Sequence, residues 1–373
     1  MGLFDADKSA TRLPVSLITG FLGSGKTTLL NKLLRHPGMG DSAVIINEFG
    51  DVALDHLLVE AIEGEIAVLA SGCVCCTLRS DLEETLRNLL IKRDRGEVPA
   101  FSRILLETTG LADPAPIVQL LLNNPLVSHY VRLDAVVTTV DAVNGARQID
   151  EHAEAVKQVA LADRLLVTKT DLAAADTIAH LDRSLISLNP GATRHRVLNG
   201  EIAPDALFGA ALFDPARKSP DVQRWINESA YGAQTHAQQT HQHDGDGYDG
   251  IGHNGQAHDS HAHDHAGHAH TGGIRSCCLV SDQPLSWDAL SSWLAGLRQG
   301  AGADLLRVKG ILNLIGEDAP VAVHGVHHVF HPPVQLDAWP DADRRSRIVF
   351  ITRDIAPADL HASFVEHVGA ARI

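Results

Sequence analysis

The residues from Gly20 to Thr27, which read GFLGSGKT, have the composition and spacing of a phosphate-binding loop, G-x-x-x-x-G-K-[ST]. They follow an apolar run and precede a segment of helical character, as expected for a loop between a strand and a helix. Glycines let the backbone turn tightly and direct its amide hydrogens at phosphate oxygens. Lys26 would place a cation on the β- and γ-phosphates, and Thr27 would offer its hydroxyl to Mg²⁺. The sequence therefore predicts a nucleoside triphosphate site. Its contact residues are predicted to be Gly20, Gly23, Ser24, Gly25, Lys26, Thr27 and Thr28.

A second group of polar residues follows a later apolar run. In RILLETTG, residues 103–110, Glu107 ends a predicted strand and Gly110 lies just beyond it. An acidic group at this place can support the Mg²⁺ shell, and a glycine amide can sense the γ-phosphate. A carboxylate that merely ends a strand is the alternative. With the phosphate loop upstream, we predict that Lys26, Thr27 and Glu107 form the catalytic group.

A third segment bears on which base is bound. LLVTKTDL, residues 165–172, carries Thr168, Lys169 and Asp171 after an apolar run and resembles the N-K-x-D guanine motif of GTPases. The carboxylate of Asp171 can accept hydrogen bonds from N1 and N2 of guanine, whereas adenine offers no such pair of donors. Thr168 stands where the motif has Asn. The segment favours GTP over ATP, and it adds Gly110, Thr168, Lys169 and Asp171 to the predicted nucleotide-binding residues.

Three of the five cysteines are crowded into SGCVCCT, residues 71–77, as Cys73, Cys75 and Cys76. Thiolates are soft ligands suited to Zn²⁺, Cu⁺ or Co²⁺. In a flat strand Cys76 would face away from the other two, so joint ligation predicts a loop after the strand Ile66–Leu69. Three thiolates leave a fourth position open, as an exchangeable ion requires. Core cysteines or a redox pair are the alternative.

Candidates for further ligation lie in NEFGDVALDH, residues 47–56. Glu48 and Asp51 are predicted metal ligands, together with Thr27 for Mg²⁺, and His56 is a further candidate. Polar residues on one loop can equally reflect ordinary exposure to solvent. The cysteines therefore predict a metal site whose fourth coordination position is open or weakly filled, with these residues as the candidates to approach it.

The composition bounds what the chain can do. It has 373 residues, 45% hydrophobic and 21% charged, with a formal net charge of -15. The acidic balance argues against a nucleic-acid partner, and no segment has the unbroken apolar length of a membrane span or a secretory signal. We expect a cytoplasmic protein, in which the five cysteines are reduced rather than paired.

Apolar β-branched runs alternate with helix-length segments through the first half of the chain. They predict βαβ units, and their continuous apolar character is typical of parallel strands buried on both faces. These runs are Val15–Ile18, Ala43–Ile46, Ile66–Leu69, Arg103–Leu106, Ala135–Val140 and Leu165–Val167. The predicted fold class is α/β, a P-loop NTPase with a doubly wound, mostly parallel sheet.

Further along, ten histidines lie between His236 and His270, interleaved with Asp, Gly and Ala. A segment so poor in large apolar side chains is predicted to be disordered, and its imidazoles can bind Zn²⁺, Ni²⁺ or Co²⁺ in a buffering role. A solubilising linker is the alternative. Beyond it, strand-like runs around an amphipathic segment, Trp287–Leu297, predict a small α+β domain.

Two features of this second region are less informative. In HGVHHVFHPP, a continuous strand would place His324 and His328 on one face and His327 and His331 on the other, too far apart for one ion to bridge either pair. Cys277 and Cys278 would also face opposite sides, and we expect them to pack in the core. The predicted organisation is an N-terminal tail (1–11), a P-loop GTPase domain (12–205), a connector (206–231), the His-rich insert (232–273) and the C-terminal domain (274–373).

The order of the phosphate loop, NEFG, GCVCC, ETTGLADP and TKTD resembles the CobW-type family of GTPases, whose members include zinc metallochaperones. LLRVKGILNL and HGVHHVFHPP resemble that family's C-terminal domain. The resemblance implies GTP hydrolysis coupled to delivery of a metal to client apo-metalloproteins. It implies Zn²⁺ as cargo on Cys73, Cys75 and Cys76, with Co²⁺ and Ni²⁺ as alternatives. Where this chain has Asp51, the family often has Glu.

Three other functions remain open at this point. The same GTPase could carry cobalt for cobalamin synthesis, or iron or cobalt for nitrile hydratase. A metal-storage protein could use the nucleotide only for regulation, and a small-molecule kinase could be built on the same loop. No arginine finger is evident, so we expect slow intrinsic turnover that a client or a homodimer stimulates.

Overall fold

The computed structural model describes residues 12–47, 68–71, 78–209, 231 and 273–373. Two β-sheets organise these residues, one before and one after the predicted His-rich insert. The insert itself, apart from Gly273, lies outside the described residues. Within the described part of the chain, no helix combines the length and the apolar character needed to cross a bilayer.

The first sheet has seven strands, and every strand pairing in it is parallel. Its strands are β1 (Leu13–Gly20), β2 (Ser42–Asn47), β3 (Val68–Ser71), β4 (Arg103–Thr108), β5 (Val131–Asp141), β6 (Arg164–Thr168) and β7 (Thr193–Val197). The order is β3-β2-β4-β1-β5-β6-β7, so β1 is central. Because all strands run the same way, their carboxyl ends form one edge of the sheet, which is where α/β proteins bind ligands.

Helices cover both faces of this sheet. They are α1 (Lys26–Leu34), α2 (Leu78–Asp94), α3 (Ala115–Asn123), α4 (Pro125–Tyr130), α5 (Gly145–Glu151), α6 (Ala153–Leu161) and α7 (Ala175–Leu188). Leucines of α2 and α3 pack with β1, β2 and β4 on one face, while α1 packs on the other. The doubly wound parallel architecture predicted from the apolar runs is confirmed.

The second sheet is antiparallel and has six strands. They are β8 (Ile274–Ser281), β9 (Leu305–Leu312), β10 (Val321–Val326), β11 (Val329–Phe330), β12 (Val334–Gln335) and β13 (Ser346–Arg353). Two helices, α8 (Trp287–Ala301) and α9 (Pro357–His367), pack on one face around Trp293, Phe350 and Phe364. The predicted α+β second domain is confirmed.

Details of this domain differ from the expectations. Cys277 and Cys278 are buried in separate clusters on opposite faces, as predicted. The continuous strand through HGVHHVFHPP is wrong, because β10 ends at Val326 and His327 and His328 form a tight turn to β11. His327 adopts the left-handed conformation (φ 53°) that such turns require. The alternation of faces therefore stops at the turn.

The two sheets contact each other through polar and apolar residues. Ile274, Leu306 and Ile351 of the second domain join the apolar cluster of α6 and α7. Beside them Asp163, which follows α6, accepts hydrogen bonds from Arg307 (2.5 Å) and Lys309 (2.6 Å) of β9. Burial lowers the pKa of Lys309 to about 8, with the charge of Arg307 adding to the effect and Asp163 opposing it. The interface thus contains a buried ionic cluster.

Candidate nucleotide-binding site

The phosphate-binding segment lies between β1 and α1, as the motif predicts. Gly20 and Gly25 have φ values of 140° and 96°, which side-chain-bearing residues rarely adopt. A Cβ at Gly20 would also lie 2.3 Å from the hydroxyl of Thr139 on β5. Lys26 Nζ donates to the carbonyl oxygens of Gly20 (2.9 Å) and Phe21 (3.3 Å), so the ammonium lies inside the curve of the loop.

The strand that carries the acidic residue lies directly beside the loop strand. Ile18 of β1 pairs in register with Glu107 of β4, so both strands reach the same edge together. Thr27 Oγ1 donates to Glu107 Oε1 at 3.2 Å, and Glu107 is 5% exposed. A hydroxyl and a carboxylate in contact are oxygen ligands of the kind Mg²⁺ prefers, directly or through water. The pair predicted from sequences 80 residues apart is brought together.

The base-recognition segment approaches the loop from β6. Thr168 Oγ1 donates to the carbonyl of Ser24 at 2.8 Å, and Lys169 Nζ donates to Asp141 Oδ2 at 2.7 Å. Burial raises the pKa of Asp141, but hydrogen bonds from Lys169, Val143 and Asn144 outweigh it, and the net pKa is lowered. Asp141 is therefore ionised, and it holds the ammonium group of Lys169, a residue that lines the same cavity as the loop.

These elements enclose a cavity of about 340 Å³ at the carboxyl edge of the first sheet. Its lining residues are Leu22, Gly23, Gly25, Lys26, Thr27, Thr28, Ile46, Glu107, Thr108, Thr109, Gly110 and Lys169. Gly20, Ser24 and Thr168 lie behind the wall and support it through hydrogen bonds. Asp171 is exposed in the turn after β6, outside the lining residues.

Apart from Thr27, the predicted metal ligands lie in segments that the structure does not describe. Glu48, Asp51, Cys73, Cys75 and Cys76 all lie outside the described residues. Among the described residues, no group of three or more His, Cys, Asp or Glu side chains is arranged to hold a metal ion. The flanking backbone is described: β2 ends at Asn47 and β3 at Ser71, and these two residues pair in register. The thiolate cluster stays a prediction.

Sequence reasoning missed several groups that support the site. Asp141 ends β5 as Thr168 ends β6, and the hydroxyl of Thr139 meets that of Ser24 at 2.7 Å. Thr108 also donates to Thr19 at 2.9 Å, which joins β4 to β1 beneath the loop. An acidic residue at the carboxyl end of a parallel strand was the available signal for Asp141. The two hydroxyl pairs carry no local motif.

A phosphate-binding loop on a doubly wound parallel sheet, with an acidic strand end against the loop threonine, defines a P-loop nucleoside triphosphatase. Residues 14–196 match the family described as CobW/HypB/UreG, nucleotide-binding domain, and residues 274–367 match the Cobalamin synthesis protein cobW C-terminal domain. The chain belongs to the CobW family of P-loop GTPases.

Relatives and solved structures agree with this assignment. The chain is 30% identical over 352 residues to the zinc chaperone YjiA of Escherichia coli, covering 94% of this chain and 98% of the relative. It is 32% identical over 194 residues to zinc-regulated GTPase metalloprotein activator 1 of Schizosaccharomyces pombe, covering 50% and 46%. The crystal structure of Zn(II)-bound YjiA GTPase from E. coli superimposes with a TM-score of 0.66 at 25% identity, covering 95% and 99%.

Proposed function

We propose that this protein is a GTP-hydrolysing zinc metallochaperone, which carries an ion on Cys73, Cys75 and Cys76 and transfers it to client apo-metalloproteins. The observation that carries the proposal is the contact of Thr27 with Glu107 inside the loop-lined cavity. The printed names of relatives as zinc chaperones support the cargo. We place the protein in the cytoplasm and infer that it can form a homodimer.

The chain's own residues have defined tasks in this mechanism. Lys26 would move from the loop carbonyls onto the β- and γ-phosphate oxygens, which is a short displacement for a flexible side chain. Thr27 and Glu107 would hold Mg²⁺, which when bound neutralises charge that develops on the phosphates. Gly110 lines the cavity and would place its amide against the γ-phosphate, which GDP lacks.

Base selection would come from the segment after β6. Thr168 hydrogen-bonds to the phosphate loop, and Asp141 at the end of β5 holds Lys169. Asp171 is exposed, so its carboxylate can meet a base from solvent. The inferred preference for guanine rests on the two donors that guanine presents to one carboxylate. Exchange of GTP for ATP in a competition assay tests this part alone.

Coupling between nucleotide and cargo is inferred from the edge of the sheet. Cys73 follows the last residue of β3 by two positions and Glu48 follows the last residue of β2 by one. Since Asn47 also pairs with Thr108, both segments leave the edge that carries Glu107. Binding of GTP would order these segments around the thiolates, and hydrolysis would release them.

Linkage makes the coupling testable. If GTP changes the affinity for Zn²⁺ by some factor, Zn²⁺ must change the affinity for GTP by the same factor. We expect the affinity for a non-hydrolysable GTP analogue to differ with and without Zn²⁺ in the intact chain, and to become equal in Cys75→Ala. Cys278→Ala, which removes a cysteine from the second-domain core, is the matched control and should keep the difference. Equal affinities in the intact chain would reject the coupling.

Cargo and reaction are tested separately. Elemental analysis of protein purified from metal-limited cells identifies the ion, and a predominance of cobalt or iron would replace zinc in the proposal. GTP-dependent transfer to candidate apo-enzymes tests delivery. Hydrolysis absent under every metal and client condition would indicate storage, and phosphate found on an acceptor rather than in water would indicate a kinase.

A further inference from the structure

The helix α6 lies between three regions: the phosphate loop, the loop that follows β4 and the second domain. At its amino end, the ring of His152 stacks on Phe21 of the phosphate loop, with centroids 4.6 Å apart and planes inclined by 22°. In its middle, Lys157 and Gln158 bind the loop that follows β4. At its carboxyl end, the carbonyl of Leu161 accepts a hydrogen bond from Arg307 of the second domain. One rigid element therefore connects these three regions.

Gln158 makes the most specific of these contacts. Its side-chain amide nitrogen donates to the carbonyl oxygens of Gly110 (3.1 Å) and Ala112 (3.0 Å). Next to it, Lys157 Nζ donates to Asp113 Oδ2 at 2.7 Å. The loop 110–113 is thus attached at three points to one turn of α6.

Packing does not account for a glutamine at this position. Gln158 is 1% exposed, and its Oε1 has no hydrogen-bond partner among the described residues. Burying an amide oxygen without a partner is unfavourable, and a methionine would fill a similar volume without that cost. What the glutamine alone supplies is a pair of N–H donors aimed at two backbone carbonyls.

The position that these donors fix is a tight one. A Cβ on Gly110 would lie 2.6 Å from the backbone nitrogen of Leu22, so the two main chains are in direct contact. Gly110 can therefore shift little toward Leu22, and Gln158 ties the carbonyl of Gly110 to α6. Small displacements of groups that contact reacting atoms cause large losses of rate.

We propose that Gln158 is a positioning residue for GTP hydrolysis, which holds Gly110 against the phosphate loop so that its amide meets the γ-phosphate. The inference rests on the proposed nucleotide site and deepens it. Because GDP has no γ-phosphate, Gln158 affects the hydrolytic step and leaves GDP binding unchanged. Its action is through Gly110, since the side chain itself is buried behind the loop.

The test compares two glutamines in the full-length chain. Gln158→Met removes both donors and keeps the length of the side chain. Gln119→Met on α3 is the matched control, because Gln119 is also buried and its amide donates to a carbonyl, that of Val326 at 3.3 Å. We expect Gln158→Met to lower kcat about tenfold, with KM for GTP and Kd for GDP within about twofold of the parent. Gln119→Met should leave kcat unchanged.

Different failures have different meanings. Equal losses of kcat in the two variants, or a parallel loss of GDP affinity, would assign Gln158 a merely structural role and overturn the inference. If Gln158→Met does not fold, Gln158→Leu removes the same two donors with a smaller apolar side chain, and unchanged kcat there would also overturn the inference. If the parent chain binds no GTP, the proposed function fails before the variants are compared.

Discussion

The hydroxyl of Thr168 donates a 2.8 Å hydrogen bond to the carbonyl oxygen of Ser24, which ties the end of β6 to the phosphate loop. Both residues are buried, and the hydroxyl also lies 3.3 Å from the carbonyl of Val140. Thr168 occupies the place of the asparagine in the guanine motif. The short side chain of a threonine is therefore sufficient to join the base-recognition segment to the phosphate loop.

Thr168→Val is expected to weaken nucleotide binding about fivefold, because it removes one buried hydrogen bond worth about 1 kcal/mol. Titration with a fluorescent GDP analogue measures the change. Thr352→Val is the matched control: Thr352 is a buried threonine of the second domain that donates to the carbonyl of Ile355. Equal affinity for GDP in Thr168→Val and the parent would show that the bond does not shape the site.

Glu107→Gln should raise the Mg²⁺ concentration needed for hydrolysis and lower kcat about 10- to 100-fold, as changes in the shell around a metal typically do. Binding of GDP without Mg²⁺ should be unchanged or tighter, because a negative charge near the phosphates is lost. Steady-state kinetics across a Mg²⁺ titration measure the Mg²⁺ requirement and kcat, and a GDP titration without Mg²⁺ measures the binding. Glu97→Gln changes an exposed carboxylate of the same domain and serves as the control. An unaltered Mg²⁺ requirement would place Glu107 outside the metal's environment.

The parts of the site that sequence reasoning could predict have a local or topological origin. GFLGSGKT lies within eight consecutive positions, and its geometry depends on that spacing. Glu107 and Lys169 are distant in sequence, yet both stand near carboxyl ends of parallel strands, which must meet at one edge. The apolar runs thus predicted which side chains would share a cavity.

Other features left no such pattern. The strand β7, TRHRV, has exposed residues alternating with partly buried ones at the sheet edge, so it shows no apolar run. At the turn between β10 and β11, His327 has a left-handed backbone conformation. The usual sequence signal for such a turn is Asn-Gly, which is absent at this turn. Gln158 depends on how α6 packs against a loop 46 to 48 residues away. These contacts follow from tertiary packing rather than from local preference.

Asp163→Asn tests the ionic cluster between the two domains. Asp163 contacts Arg307 and Lys309, which are 144 and 146 residues away, with side chains less than a tenth exposed. Removing the carboxylate leaves the two buried cations without their anionic partner. Loss of one partner from a buried ion pair typically lowers the free energy of unfolding by about 3–5 kcal/mol. Asp304→Asn breaks a partly exposed pair with Arg353 and should cost only about 0–1 kcal/mol. Urea denaturation measures both, and equal midpoints would contradict the expectation.

The same carboxylate predicts a pH dependence of stability. Burial raises the pKa of Asp163, but the charges of Arg307 and Lys309 outweigh it and hold the pKa well below its ordinary 3.8. Because the pKa is lower in the folded state, the stabilisation is complete above about pH 4 and is lost as the pH falls through the folded value. The stability difference between the parent chain and Asp163→Asn should shrink as the pH falls below about 4. A difference that stays constant down to pH 3 would contradict this assignment.

Gly110→Ala tests the contact between the loop after β4 and the phosphate loop. The added methyl would lie 2.6 Å from the nitrogen and 2.7 Å from the Cα of Leu22, and backbone atoms cannot move aside as a flexible side chain can. We expect kcat for GTP to fall at least tenfold, while GDP affinity changes less than about threefold, because only GTP presents a γ-phosphate to this residue. Gly296→Ala is the matched control, since a Cβ there meets no atom within 4 Å in the interior of α8. It should leave kcat unchanged and stabilise the helix by about 0.5–1 kcal/mol. Parallel losses of GTP hydrolysis and GDP binding in Gly110→Ala would mean that the substitution distorts the whole phosphate loop, and the γ-phosphate role of Gly110 would then be lost.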